Sequence, residues 1–510
     1  MEQNCLKTNV YVNDTVFEQT LEQAIDVDFT MPDYCPDISK IIKCKAVPFI
    51  SSKGLNGRSL VIDGNVTLNV IYIDSNGNLS SYEYQYPFNK TIDAGENCDS
   101  GNISCNAKCE YINCRAVTSR KIDIHGAVGI HCKISKRNST EIVSDIDDKN
   151  IEIRRGIVPA TMPMGNFEKY VIIDEEIEIG QGQPSVRNIL RYDARACIKE
   201  SKIIDDKVVV KGELLLSILY CPEKSRCPQI IKTEIPYSQI IDMPGVSPEC
   251  ECDTSAEIAY LELKCKTNSA GETRVITLDA KLLLCAEAFC GNDVAVILDS
   301  YSRKNQTEVN FKNVCFKKIK DNICDTYHLK KSLEISENIN SISDMWCDLQ
   351  SQNVKFTDDG MLICGTMIIG VIFSDSDDNA SYIEKTVDFE YKCSLKNINN
   401  RMNCKPKLEI ISNGYTITGS NSIELRIDIQ VNASVYEITD IPLIVDINID
   451  ESKQIKKPSK GAMVIFFSSK GDNVWNIAKN YNASVEEILK INSLQDENIE
   501  NDRMILIPVL

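Results

Sequence analysis

Apolar and polar positions alternate with a period of two over most of the first 445 residues, so this part of the chain reads as β-strands. Three stretches repeat one order of elements. First comes a strand carrying alternating carboxylates: Ile25-Asp26-Val27-Asp28-Phe29, then Ile177-Glu178-Ile179, then Leu333-Glu334-Ile335. An apolar pair at helical spacing follows: Ile38 and Ile41, Val186 and Ile189, Ile339 and Ile342. A glycine then opens a long apolar strand, at Gly64, Gly212 and Gly365, and the interval from the start of the pair is 26 residues each time. Equal intervals with the same pattern at both ends mark an internal repeat. The copies continue alike, with a strand ending near an aromatic (Phe88, Tyr237, Phe389) and an alternating run. They close on a strand predicted over Lys121–Ile134, Arg274–Phe289 and Ser422–Tyr436. Short strands at such intervals predict β-sandwiches rather than an α/β enzyme.

The period changes near the C-terminus. Met463 to Phe467 is a short apolar strand. Gly471-Asp472 turns the chain, and Asp472 is the expected N-cap of a helix that begins at Asn473. Val474, Ile477, Ala478 and Tyr481 fall on one face of it. Ser484 with Glu487 is a capping box for a second helix that includes Val485, Ile488 and Leu489. Met504 to Ile507 is a second strand, stopped by Pro508. The expected fold is therefore mainly β: three tandem β-sandwich-like repeat domains, then a small α+β domain of order βααβ. The domains are expected at 8–149, 150–305, 306–446 and 461–510, with a solvated, lysine-rich linker over 447–460.

Composition narrows the function classes. A formal charge of −18 on 510 residues argues against nucleic acid, which needs clustered Lys and Arg. No run of apolar residues reaches the length of a transmembrane helix, and the N-terminus lacks a basic start with an apolar core, so neither membrane insertion nor secretion is expected. With 22 cysteines but no C-x-x-C pair and only three histidines, reduced thiols are expected and no metal site. Asp33 and Asp37, around Pro32 and Pro36, are the one carboxylate pair with spacing of interest, and they read as a capped turn into a short helix. No phosphate-binding loop, nucleophile elbow or zinc-protease motif is found, so no catalytic residue, no cofactor and no enzymatic activity are expected.

The C-terminal residues Gly471-Asp472, Trp475, Ile477-Ala478, Tyr481, Val485, Ile488, Asn492, Ile499 and Ile507-Pro508 resemble a LysM domain. The resemblance implies a groove for N-acetylglucosamine polymers between two loops. Lys470, Gly471, Asp472, Asn473 and Val474 would form one side, and Asn492, Ser493 and Leu494 the other. Trp475, Ile477, Ala478, Tyr481, Ile488 and Ile507 would hold the fold. Asn501-Asp502 departs from the glycine usual in that family. The repeated unit, through PDYCPDISKII with the Gly64 strand and GQGQPSVRNIL with the Gly212 strand, resembles the SPOCS domain of spore-coat proteins; the third copy is degenerate. Three such units and one LysM domain imply a coat-assembly adaptor in the mother-cell cytoplasm, at the forespore surface. Its implied partners are the coat basement-layer ATPase, SpoIVA, and other coat proteins. A wall protein that holds peptidoglycan on β-domain spacers is the alternative.

Overall fold

The computed structural model of the chain describes residues 5–98, 101–180, 182–223, 225, 227–267, 271–375, 380–455 and 463–508. The repeat is a unit of two antiparallel sheets. In the first unit the strands are β1 (Cys5–Thr30), β2 (Ile38–Asn56), β3 (Ser59–Asp74), β4 (Leu79–Asp93), β5 (Asn102–Ala116) and β6 (Lys121–Ile146). One sheet has the order β2-β3-β4 and the other β1-β6-β5. The second unit repeats this with β7 (Ile151–Glu178), β8 (Val186–Ile204), β9 (Lys207–Pro222), β10 (Gln229–Asp242), β11 (Glu251–Thr267) and β12 (Thr273–Ser302), in sheets β8-β9-β10 and β7-β12-β11. The third uses β13 (Asn305–Glu334), β14 (Ser341–Thr357), β15 (Gly360–Ser374), β16 (Ala380–Ser394), β17 (Met402–Cys404), β18 (Lys407–Gly419) and β19 (Ser422–Gln454). Here β17 and β18 both pair with β19, and Pro406, which has no N–H to give to a ladder, stands in the break between them.

The repeat glycines are structurally equivalent. Gly64 lies opposite Phe88, Gly212 opposite Tyr237, and Gly365 opposite Phe389. A Cβ would meet the facing ring at 2.1, 2.4 and 2.7 Å respectively, and a backbone carbonyl of the preceding strand within 2.6 Å in every unit. An aromatic ring thus covers each glycine, which explains both residue types at that spacing.

The apolar pairs at helical spacing are not helical. Ile38 and Ile41 lie in β2, and Val186 and Ile189 in β8. Each strand carries bulges at these positions, between Ile38 and Lys40 and between Ile41 and Lys43, and likewise between Val186 and Asn188 and between Ile189 and Arg191. An extra residue at a bulge turns a period of two into a local period of three. The expected short helix after Asp37 is therefore strand. Asp33 and Asp37 do belong to a turn, and Arg120 organises it. Its guanidinium donates to Asp37 at 2.7 Å and to the Met31, Pro32 and Cys35 carbonyls at 2.8–3.2 Å. That contact, with Ser119, holds the Asp37 carboxyl below the usual range.

The three units close into a ring. The β4 strand packs on β8, β10 on β14, and β16 on β2, so at each junction the last strand of one sheet meets the first strand of the next. At the centre, Ile71, Leu219 and Ile372, one from the middle strand of each unit, are buried together. This explains why those strands are apolar on both faces: one face fills the unit's own sandwich and the other fills the centre. Lys43, Arg191 and Asp344 hold one repeat position, read from the common spacing, and have diverged in charge. Arg191 is 5% exposed and pairs with Asp193 and with Asp344 of the third unit, while Lys43 pairs with Glu384. Lys45 bridges Asp193 and Asp348 at 3.1 and 3.2 Å, so ion pairs cross all three junctions.

The closing strands run well past their expected ends at Ile134, Phe289 and Tyr436. They reach Ile146, Ser302 and Gln454, paired throughout with β1, β7 and β13. These outer halves are two-stranded ribbons, and the three ribbons bundle together. Val10 and Ile142 of the first, Val158 and Val296 of the second, and Val314 and Leu443 of the third form one cluster. The expected linker is corrected in part, since 447–454 is strand; 456–460 lies outside the described residues, as do 461–462 and 509–510 of the C-terminal domain. Cys250 and Cys290 form a disulfide, which departs from the expectation of reduced thiols; the other twenty cysteines are thiols.

Candidate functional site

The C-terminal domain has the expected order: β20 (Met463–Ser468), α1 (Val474–Tyr481), α2 (Val485–Ile491) and β21 (Arg503–Pro508). The two strands pair antiparallel. Asn473, not Asp472, is the N-cap of α1: its Oδ1 accepts from the Trp475 N–H at 2.9 Å. Asp472 instead accepts from the Ser469 N–H at 2.9 Å and closes the turn before it. Ser484 caps α2 as expected, accepting from the Glu487 N–H. The domain core contains Trp475, Ile477, Ala478, Ile488 and Ile507, all buried, with Tyr481 half-buried against Phe466.

The structure sorts the eight loop residues by what their side chains can offer. Val474 is 0% exposed and belongs to the core. Asn492 is buried, and its amide is fully used: Nδ2 donates to the Ile488 and Leu506 carbonyls, and Oδ1 accepts from the Leu506 N–H, each at 2.8 Å. It ties the end of α2 to β21 and presents nothing outward. Leu494 is half-buried against the core. Gly471 sits at φ +96°, a backbone conformation suited to glycine. Lys470 and Ser493 are exposed side chains at the two loops.

The segment that faces 471–474 is 497–499, of which the sequence reading named Ile499 but assigned none to the groove. Gly471 N–H donates to the Ile499 carbonyl, Ile499 N–H to Asp472, and Val474 N–H to Glu497, at 2.8–2.9 Å. The Asn473 side chain donates to Asn498 Oδ1 at 3.1 Å. The two loops are thus zipped by hydrogen bonds, and Glu497 and Asn498 stand opposite the first loop. The asparagine at 498 was the available signal, since Asn commonly bonds neighbouring backbone in loops.

Alternation along the sheet produces a second feature. Val464, Phe466, Ile505 and Ile507 point to the helices. The opposite face of the sheet is apolar and open, with Met463, Ile465, Phe467 and Met504 at 51%, 55%, 79% and 50% exposure. Contiguous exposed apolar side chains of this size mark interaction surfaces.

A third feature lies on the ring. Asp299 and Tyr301, on β12, meet α1. Trp475 Nε1–H donates to Asp299 at 2.9 Å, and Lys479 Nζ reaches both carboxylate oxygens at 2.7 and 2.8 Å. The Tyr301 hydroxyl donates to the Ala483 carbonyl at 2.7 Å.

Comparison with protein families gives these elements their names. The SipL SPOCS domain matches three times, at residues 37–117, 185–266 and 338–418, and the LysM domain matches residues 469–508. Each SPOCS match covers the inner strands of one unit, from the start of β2, β8 or β14 to the strand before the closing one. Three SPOCS domains followed by a C-terminal LysM domain give the chain a SipL-like architecture. No curated protein and no solved structure matches it. The SPOCS and LysM domains are those of a sporulation coat protein with a LysM module. Among the described residues, no helix is long and apolar enough to cross a membrane, and no group of His, Cys, Asp and Glu could hold a metal ion.

A cavity of about 230 Å³ lies between the first two SPOCS units, bordered by Phe49, Lys53, Cys105, Tyr170 and Glu257. Lys53 pairs with Glu168 across the junction at 2.8 Å. Burial pushes the Glu257 carboxyl up, against Lys53 and Lys407. These charges join units rather than converge on a reacting position.

Proposed function

We propose that the protein is a non-enzymatic adaptor of spore-coat assembly. Its LysM region binds the coat basement-layer ATPase, SpoIVA, and the SPOCS ring holds that region in place at the forespore surface in the mother-cell cytoplasm. The reading rests on the domain order and on one observation above the rest: the open, charge-free face of the LysM sheet formed by Met463, Ile465, Phe467 and Met504. A large apolar face on a small domain fits a protein surface better than a polyhydroxylated sugar, and Met side chains adapt to irregular partners. The family's glycan ligand remains the competing occupant of the loop edge at Lys470 and Ser493.

Phe467 is exposed, so Phe467→Lys leaves the core intact and places a charge on the face, beside Met504. Pull-down of SpoIVA by this variant is expected to fall at least about tenfold, the equivalent of roughly 1.4 kcal/mol. Lys470→Glu should change it little. Unchanged capture by Phe467→Lys, or tight binding of the full chain to chitin oligomers that Lys470→Glu abolishes, would favour the wall-binding reading.

A further inference from the structure

We propose that the LysM domain is latched onto the ribbon of the second SPOCS unit, with Asp299 as the positioning residue, so that it does not swing freely on its connecting segment. The closing strand β12 continues past its sandwich to Ser302 and delivers Asp299 and Tyr301 to α1. A bulge between Ile297 and Asp299 resets the strand alternation just before the contact. Trp475 and Lys479 are four residues apart, hence on one face of α1. Both donate to the single Asp299 carboxylate. Tyr301 is 4% exposed, belongs to the LysM core cluster, and meets Trp475 edge-on at 5.2 Å between ring centres. The hydrophobic core of the small domain is therefore completed by a residue of the ring.

The other ribbons offer no such seat. The first ends Ser144-Asp145-Ile146, with Asp145 held by Arg155 at 2.6 Å, and the third ends Glu451-Ser452-Lys453-Gln454. Neither carries an Asp-x-Tyr. The latch withholds the α1 face from any outside ligand. The open sheet face is then presented in one direction relative to the ring, whatever it binds.

The chain has two tryptophans, Trp346 and Trp475, and Trp346 is buried in the centre of the ring. Acrylamide quenching of the full-length protein therefore reports on Trp475. Asp299→Ala is expected to raise the quenchable share of the emission from near zero toward half and to increase the maximum dimension in small-angle scattering. Asp299→Asn keeps an acceptor for the indole N–H and should fall between. Tyr301→Ala, which leaves every LysM residue in place, should act like Asp299→Ala. Slow amide exchange must persist across α1 and α2, since release leaves the domain folded. Unchanged quenching and dimensions in both alanine variants would overturn the proposal. So would raised quenching with lost protection across α1 and α2, because the contact would then sustain the fold rather than orient it.

Discussion

Gly212 shows how a single atom sets the packing of a unit. A methyl group there would lie 2.3 Å from the Cys197 carbonyl oxygen and 2.4 Å from the Tyr237 ring. The carbonyl belongs to a paired strand and cannot rotate away. Gly212→Ala should therefore cost about 1–3 kcal/mol in chemical denaturation, the usual range for overpacking. Trp475→Ala is expected to cost about 3–5 kcal/mol at its 2%-exposed site, comparable to the whole stability of so small a domain. Amide exchange in α1 and α2 would measure it. At this scale the sequence was a good guide to the core and a poor one to the loop. Ile477, Ala478 and Ile488 could be placed from the apolar pattern, and Trp475 from the LysM resemblance. Spacing already put Val474 on the apolar face, although the groove resemblance also claimed it. Asn492 could not be excluded as a ligand group, because what engages its amide is β21.

Between units, single elements carry matched charges. Arg191 on β8 lies between Asp193 and Asp344, so Arg191→Ala leaves the buried Asp344 without its cation, while Asp193 keeps Lys45. The expected cost is about 3–5 kcal/mol, read from urea unfolding; a cost under about 1 kcal/mol would mean the junction is solvated. Glu257 on β11 gives a pH test. Burial raises its pKa in the fold, so the folded chain holds a proton that the unfolded chain gives up first. Stability should then fall as pH rises from the ordinary glutamate value of about 4.3 through the folded value. Glu83, Glu287 and Glu409 are raised by burial as well and add the same sign. Glu257→Gln should flatten part of that decline, measured as unfolding midpoints across the window; a slope as steep as the parent's would contradict it. Strands, their order and the repeat were legible because alternation and the glycine interval survive in each copy. The ribbons and bulges were not. Each ribbon is buried by the others, which no single unit reveals, and a bulge mimics helical spacing.

The whole molecule is three copies of one fold arranged so that each buries a face of the next, with a LysM domain seated on the second. Divergence at Lys43, Arg191 and Asp344 gives each junction its own charges, which fixes the order of units around the ring. The domain set itself was readable from motifs; the ring was not, because closure depends on contacts between residues more than a hundred positions apart. The adaptor account makes the LysM region the site of partner binding and the ring its support. Binding of SpoIVA by the full-length chain and by a chain ending at Lys460, compared by titration calorimetry, tests this most directly. The truncated chain should keep the ring, seen as an unchanged β-sheet circular-dichroism spectrum, and lose SpoIVA. Binding of SpoIVA that is undiminished after the truncation would contradict the account.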